Sequence, residues 1–566
     1  MPDNNWRERY RFHEREWDNY EALREWFDWK MPTEFNIATQ VCERWAERTP
    51  DRAAIIARDD QGRSTTWTYS DLNAKASALA GYLRSHGVSA GDRVAVCSAP
   101  SPEAASALIA CWKVGAVAVP MSTLFGQDAL EHRIRDAAIP VAVVDDTESF
   151  QPLLDAETPL GQLVTIRPDA PEGTRHADSV PFEEAISLGT PIETVTTAAE
   201  DDAILLYTSG TTGDPKPALH VHRYLLNNLP GFLTATCNLD LRDDDVLWTP
   251  AEWAWFATLF CVLLPGLYYG KRVLAYDGGA FDPAVALDLI EEATVTQFVA
   301  PPTAVRKIKD VDDGTADLSS LRTITCGAHG EEIASWVDER LTDTVVHENY
   351  GQTEAGVLIA ECTALQETEP GCMGMAVPGY DLELLNPASG EPLSDAADVG
   401  ELAVLIGDRP ICFRQYWNWP KITEETLVDD RLLTGDLVQR AADDTFMFEG
   451  RQDYLIISAG HSIGPEEVEN CLLNHPAVAE VGVIGITDPE RGEVPKAYIE
   501  LAPGYEGDDE LVTTLQNHVR ERLAEYKYPR DVTFLSDLPM QRGKVQRDQL
   551  RQLGPASRDG SRSNEQ

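Results

Sequence analysis

The chain is poor in positive charge. Its 566 residues carry 47 Lys+Arg against 94 Asp+Glu, a formal net charge of −47, and only 11 of the basic residues are lysines. Such a deficit excludes a general nucleic-acid-binding surface, because phosphates would be repelled, and it disfavours docking on an anionic membrane. The acids run along the whole chain rather than gathering in a tail. That pattern describes an outer surface suited to a salt-rich cytoplasm, where ions screen the repulsion over a few ångströms.

Paired cysteines are missing too. The ten cysteines, at 42, 97, 111, 237, 261, 326, 362, 372, 412 and 471, include no C-x-x-C pair. Neither a disulfide framework nor a zinc site is expected, and a reducing, cytoplasmic compartment fits. The start, MPDNNWRERYRFHEREW, lacks an apolar stretch, so no secretory signal is expected. One run, Trp253 to Gly270, is uncharged over 18 residues, but Pro265 and Gly266 interrupt it. It is expected to be a buried helix passing into a loop, with no membrane span. There are no internal repeats.

What is present is a globular pattern, with 43% hydrophobic residues and a length that suggests three or four folding units. Strand-like and helix-like runs alternate: a helix over 71–87 ending at Gly87, a strand over 92–99, a helix over 101–115, then another strand. This alternation predicts α/β layers around mostly parallel sheets. Residues 161–200 are polar and read as a surface connection. After about Gly450 the elements become shorter and denser, with strands at 454–459 and 478–486, a helix at 464–475, then a further helix and strand. They make a compact α+β unit of about 100 residues.

The sharpest local signal is ILLYTSGTTGDPKPALH, residues 204–220. An apolar strand opens into Thr, Ser and Gly and closes on Lys216. Glycines let the backbone approach a phosphate closely, and N–H groups, hydroxyls and the lysine can surround its oxygens. It is not a Walker A loop, since Pro215 stands five residues after Gly210.

YTSGTTGDPKP resembles the signature of the adenylate-forming (acyl-activating, AMP-binding) superfamily, and the later motifs follow in that family's order. HENYGQTEAG (347–356) resembles the adenylate motif, LLTGD (432–436) the ribose motif, and GRQDYLIISAGHSIGPEEVE (450–469) the interdomain hinge. LPMQRGKVQRDQL (538–550) resembles the loop carrying the catalytic lysine. The resemblance covers about residues 35–553, and YGQTE, GHSIGPEEVENCLLNHPAV, DPERGEVPKAY and YKYPR look most like medium-chain acyl-CoA synthetases. It implies an α/β fold with a large N-terminal multi-layer adenylating domain (35–450). A hinge joins this to a small mobile α+β domain (451–553), and a disordered tail (554–566) follows.

The implied reaction joins a carboxylic acid to ATP as acyl-AMP with loss of pyrophosphate; CoA then displaces AMP. On the resemblance, Thr208, Ser209, Gly210, Thr211, Thr212, Gly213 and Lys216 hold the β- and γ-phosphates. Gly327, Ala328 and His329 border the adenine with Glu348, Asn349, Tyr350, Gly351 and Gln352. Thr353 contacts the α-phosphate, and Glu354 ligates Mg²⁺, a hard ion suited to oxygen. Asp436 accepts from the ribose hydroxyls, and Arg451 reaches ribose or phosphate. Lys544 contacts the attacking carboxylate and α-phosphate, Asp453 is the hinge, and Ala459, Gly460 and His461 line the pantetheine path. Arg491, Arg520, Tyr528, Pro529 and Arg530 match CoA-holding positions. Trp253, Phe256, Gly327 and Gly351 line the acyl site, where glycine at 351 replaces the bulky Trp of acetyl-CoA synthetases and favours a short branched, medium-chain or aryl acid.

Three departures stand out: Ser462 where many members have Arg, a shortened Met540–Lys544 approach to the lysine, and Pro217 after the loop lysine. Other readings stay open. One is an acetyl- or propionyl-CoA synthetase, and another is a non-catalytic acyl-nucleotide-binding protein. A third is a serine hydrolase, because Gly460–Gly464 satisfies G-x-S-x-G around Ser462, with Asp488 and His518 following.

Overall fold

The computed structural model describes residues 6–145, 147–167, 178–208, 215–327, 330–369, 371–393, 398–407, 409, 411–451, 454, 456–458, 461–488, 491–523, 527–541 and 544–553. The expected tail 554–566 lies outside them. The chain forms two compact units: Met1–Ser209, Pro215–Leu382 and Val404–Leu432 make the first, and Gly210–Asp214, Glu383–Ala403 and Leu433–Gln566 the second. The pairing of Arg431–Arg440 with Phe446–Arg451 lies almost wholly in the second unit.

Two large sheets organise the first unit. One runs, edge to edge, Gln415–Tyr416, Lys216–Val221, Asp202–Thr208, Val117–Met121, Arg93–Cys97, Val141–Val144, Gln162–Thr165, Ser179–Pro181. Its strands are parallel except Lys216–Val221, which is antiparallel to both neighbours. The other runs Val345–His347, Thr323–Thr325, Gln297–Val299, Val246–Trp248, Arg272–Asp277, Ala53–Asp59, Ser64–Thr68, with only the last pair antiparallel. Strands such as VAVPM and VAVV are buried along their whole length, as expected where helices cover both faces of a parallel sheet.

The expected helix at 71–87 spans Tyr69–Ser85. Thr68 Oγ1 accepts from Asp71 N–H while the Asp71 carboxylate accepts from Thr68 N–H, a closed capping box. The helix at 101–115 spans Pro102–Val114 and ends on Gly115 at φ 81°. Two expectations are corrected. The 161–200 region is not only a connection: Gln162–Thr165 and Ser179–Pro181 extend the first sheet, because their apolar residues have a buried neighbour to pair with. The 253–270 run does not break at its proline either. Phe256–Thr258, a wide π turn at Leu259–Leu263 and Leu264–Tyr268 follow one another, so the wide turn absorbs the ring and missing N–H of Pro265. Among the described residues no helix is long and apolar enough to cross a membrane.

Residues 6–34 also belong to the first unit. Tyr10, Phe12, Leu23 and Phe27 are buried in its main apolar cluster with Trp112, Tyr224 and Phe260.

In the second unit, Val478–Asp488 and Gly492–Leu501 form a long antiparallel pair, and Asp531–Leu535 adds in parallel. The helices Pro465–Leu473 and Asp509–Arg522 pack on this sheet through Val468, Leu472, Leu515 and Val519.

Candidate functional site

In the first unit the two strands that flank the glycine-rich segment in sequence form one hairpin. Asp202–Thr208 and Lys216–Val221 pair so that Ile204 faces His220, Leu206 faces Ala218 and Thr208 faces Lys216. Thr208 Oγ1 donates to the Lys216 carbonyl at 3.3 Å. Ser209, Gly210, Thr211, Thr212 and Gly213 lie outside the described residues, as do Ala328 and His329.

The edge strand Gln415–Tyr416 sets Tyr416 opposite Ala218, beside Lys216. The Lys216 ammonium lies 5.6 Å from the centre of the Tyr416 ring, and the Tyr416 hydroxyl donates to Glu354 Oε1 at 2.5 Å. The Glu354 carbonyl accepts from Phe413 N–H at 2.7 Å. The neighbouring Thr353 carbonyl accepts from the Tyr224 hydroxyl at 2.6 Å. Lys216 and Glu354, far apart in sequence, are therefore bridged by one tyrosine, and Thr353 is held by another. Neither Tyr416 nor Tyr224 carries a motif signal; their roles arise from sheet pairing.

Glu354 is the carboxylate beside Lys216; among the described residues no group of three or more His, Cys, Asp or Glu side chains could hold a metal. Glu354 Oε2 receives no hydrogen bond from the described residues. A lone carboxylate oxygen fits Mg²⁺, which keeps most of its shell as water and substrate phosphate rather than as a protein cage.

Glu348, Asn349, Tyr350 and Gln352 are half-buried on and beside the strand Asn349–Gln352, and Gln352 Nε2 donates to the Tyr350 hydroxyl at 3.3 Å. Gly351 sits at a register shift in the pairing with Gly356–Ala360. A Cβ there would lie 2.3 Å from the Gly356 carbonyl oxygen and 2.9 Å from Val357 Cα. A side chain there would need the neighbouring strand to shift, so backbone approach is one constraint on this glycine. At Gly327, by contrast, no described atom lies within 4 Å of such a Cβ. Trp253 is 3% exposed and belongs to the core, its indole N–H without an acceptor among the described residues. Phe256 packs on Phe260, ring centres 5.6 Å apart.

Below Lys216 on the same strand face, the His220 ring packs tilted against Tyr224 with centroids 4.1 Å apart. Burial lowers His220 and His222 to about 3, with Arg223 adding to the effect at His220, so both rings are neutral.

In the second unit Arg451 Nη1 meets Asp436 Oδ1 at 3.0 Å. Within LLTGD, Thr434 Oγ1 donates to the Leu402 carbonyl at 2.7 Å and accepts from Asp436 N–H at 3.1 Å. Gly435, at φ +70°, passes close to the guanidinium: a Cβ there would lie 3.3 Å from Arg451 Nη2.

Arg520 and Arg530 lie 3.8 and 4.2 Å from the centre of the Tyr528 ring. Neither has a carboxylate within 4.0 Å among the described residues, on a chain with twice as many acids as bases. The Pro529 carbonyl accepts from Gln516 Nε2 at 3.0 Å. The Arg491 backbone N–H donates to Asp488 Oδ1 at 2.9 Å. Asp453, Ala459 and Gly460 lie outside the described residues; of His461 and Lys544 only the backbone is described, paired with Ser458 and Gln541.

Of the hydrolase pattern, the backbone of Ser462 and the side chains of Asp488 and His518 are described. Ser462 is within a strand, paired with Ile457, not on a strand-to-helix turn. His518 Nε2 is 3.0 Å from the Cys471 carbonyl, and Asp488 accepts from Arg491.

Comparison with known proteins bears on both units. The family model "AMP-binding enzyme" matches residues 42–417, and "AMP-binding enzyme C-terminal domain" matches 467–544. The chain is 31% identical to the uncharacterized acyl–CoA ligase YtcI of Bacillus subtilis, over 92% of this chain and 96% of that protein. It is 31% identical to the mitochondrial acyl-coenzyme A synthetase ACSM3 of Mus musculus, over 94% and 93%. The crystal structure of the anthranilate CoA ligase AuaEII in complex with anthranoyl-AMP superposes with a TM-score of 0.81 at 27% identity, covering 92% of this chain and 98% of that one.

Proposed function

The chain belongs to the AMP-binding enzyme family, and from that premise we propose that it is an AMP-forming acyl-CoA synthetase for a short branched, medium-chain or aryl acid. The observation that carries the reading is the Lys216–Tyr416–Glu354 linkage, which sets a cation and a carboxylate at the mouth of the phosphate-loop hairpin. Two anions must meet when a carboxylate attacks the α-phosphate of ATP, and preorganised charge lowers the cost of that encounter.

Thr208 and Lys216, with the loop between them, hold the β- and γ-phosphates. Glu354 would hold Mg²⁺, which when bound neutralises charge on the leaving pyrophosphate. Tyr350 borders the adenine with Gly327, and Asp436 binds the ribose hydroxyls with Arg451 beside it. Lys544 brings the acyl carboxylate to the α-phosphate. The GRQDY motif supports a turn of the C-terminal part about Asp453 between the two half-reactions. In the second, the CoA thiolate attacks the acyl carbonyl and AMP leaves. The Arg520–Tyr528–Arg530 stack, free of nearby described carboxylates, supports a seat for CoA phosphate.

The acid class rests on the likeness to proteins named for acyl and anthranilate substrates, with Trp253 and Phe256 as the candidate aromatic lining. Ten buried, unbridged cysteines support a reducing compartment such as the cytoplasm. The test is AMP formation with acids from acetate to dodecanoate plus benzoate, with and without CoA. Release of AMP that needs both an acid and CoA supports the proposal; none with any acid overturns it.

A further inference from the structure

The residues around the Lys544 loop show how that lysine is carried. Lys544 pairs through its backbone with Gln541, and Val545 with Met540, in a two-stranded hairpin. Gln546 N–H then donates to the Pro539 carbonyl at 2.8 Å, closing the hairpin base. The helix Arg547–Gln552 follows at once.

Arg547, three residues after the lysine, is turned inward. Its Nη2 lies 2.6 Å from Glu469 Oε2 and 2.9 Å from Glu466 Oε1, and its Nε donates to the Val483 carbonyl at 3.3 Å. Glu469 Oε1 accepts from Val483 N–H at 2.6 Å, so one carboxylate joins the arginine to the edge strand Val478–Asp488. The guanidinium also lies 5.1 Å from the centre of the Tyr454 ring. A second contact braces the same segment: a Cβ on Gly482 would lie 2.5 Å from Val545 Cγ1 and 2.6 Å from Leu550 Cδ1, so only glycine admits them.

The other side of the clasp faces the ribose residues. Gly450, at φ +136°, precedes Arg451, and a Cβ there would lie 2.8 Å from Glu466 Oε2. Glu466 thus touches both the strand that carries Arg451 and the arginine next to the lysine hairpin.

Stability is a poor reason for this arrangement. Two carboxylates and one guanidinium are nearly buried, and burying charge costs about as much as the pairing returns; apolar side chains of similar volume do as well or better. The strain is visible in Glu469, which burial raises to about 7 against the opposing pull of Arg547, with Glu466 adding to the rise. What buried, hydrogen-bonded charges provide is one defined geometry.

We propose that Arg547, clasped by Glu466 and Glu469, is a positioning residue that fixes the Met540–Val545 hairpin so that Lys544 reaches the reacting phosphate in the adenylation half-reaction. The proposal rests on the reading of Lys544 as the adenylation lysine. It concerns the first half-reaction alone, because the thiolysis step does not call on that lysine.

The experiment measures two rates on the full chain: acid-dependent exchange of labelled pyrophosphate into ATP, and AMP release from supplied acyl-adenylate plus CoA. The variants are Arg547→Ala, Arg547→Lys, Glu469→Gln and, as the reference, Lys544→Ala. Arg547→Ala is expected to lower exchange roughly 100-fold through kcat, the scale of a misplaced catalytic group. KM for ATP and the thiolysis rate should be unchanged. Arg547→Lys should restore much of the exchange, since it keeps the charge, and Glu469→Gln should fall between. Thiolysis also reports that each variant is folded. Equal loss in both half-reactions would reduce the clasp to a structural role, and full exchange in Arg547→Ala would remove it altogether; either overturns the proposal while Lys544→Ala still loses exchange selectively. If Lys544→Ala itself retains exchange, the reading of the lysine fails and the clasp proposal falls with it.

Discussion

The Tyr416 hydroxyl donates to Glu354 Oε1 at 2.5 Å, and through the same ring Glu354 stands next to Lys216. The bond leaves the other carboxylate oxygen available and holds the side chain in one orientation. Tyr416→Phe keeps the ring and removes the donor. Pyrophosphate exchange should fall about 10-fold, with the half-saturating Mg²⁺ concentration raised, on the scale of losing one supporting hydrogen bond at a metal ligand. Thiolysis of supplied acyl-adenylate should not change. A Mg²⁺ titration of the exchange rate checks this, and an unaltered titration would mean that the hydroxyl does not orient Glu354.

Gly351→Ala tests the backbone explanation of that glycine. Its Cβ would meet the Gly356 carbonyl at 2.3 Å, so the hairpin must open. The expected outcome is a loss of about 1–3 kcal/mol in stability and weaker activity with every acid. Chemical denaturation and an acid series measure both. A variant of undiminished stability whose chain-length preference alone has shifted would return Gly351 to the role of a pocket wall.

Arg520 and Arg530 flank Tyr528, and the proposed role of the stack is to bind CoA. Arg530→Gln should raise KM for CoA about 10-fold, the value of one charge-assisted contact, and leave pyrophosphate exchange intact. Initial rates at varied CoA distinguish this from a loss of fold, which would lower exchange as well.

His220 and His222 give the acid response a sign. Free histidine titrates near 6.5, while burial holds these two at about 3. Between those values the unfolded chain takes up protons that the folded chain refuses. Stability is therefore whole above pH 6.5 and is lost as pH falls toward 3, at up to about 1.4 kcal/mol per pH unit for each ring. Denaturant midpoints from pH 7 to 4.5 should fall less steeply in His220→Gln than in the unaltered chain. Equal slopes would show that His220 is not held neutral.

The charge of −47 predicts a response to salt. Screening should weaken the repulsion between an acidic surface and two anionic substrates, so KM values for ATP and CoA should fall and thermal stability rise as KCl approaches molar levels. A steady decline from dilute buffer would refute the salt-adapted reading and leave the ligase proposal standing.

Much of this protein was legible as a linear pattern. Alternating elements announced an α/β core, and the capping box at Thr68 and the left-handed Gly115 lie where local chemistry demands them. The order of the motifs identified the family, because chemistry at phosphates restricts which residue types can serve. Two glycines show the limit. Gly210 and Gly351 read alike as permissive positions in a sequence, yet the constraint at Gly351 is a carbonyl oxygen from the neighbouring strand.

What the sequence determined by itself was therefore the class of fold, the family and the candidate groups for handling phosphate, since these depend on residue type and local spacing. Tertiary structure alone decided which groups support them. Tyr416 reaches Glu354 across 62 positions and Arg547 reaches Glu469 across 78. Such pairs are set by strand register and helix packing, and no local periodicity records a contact made only after the sheet has closed.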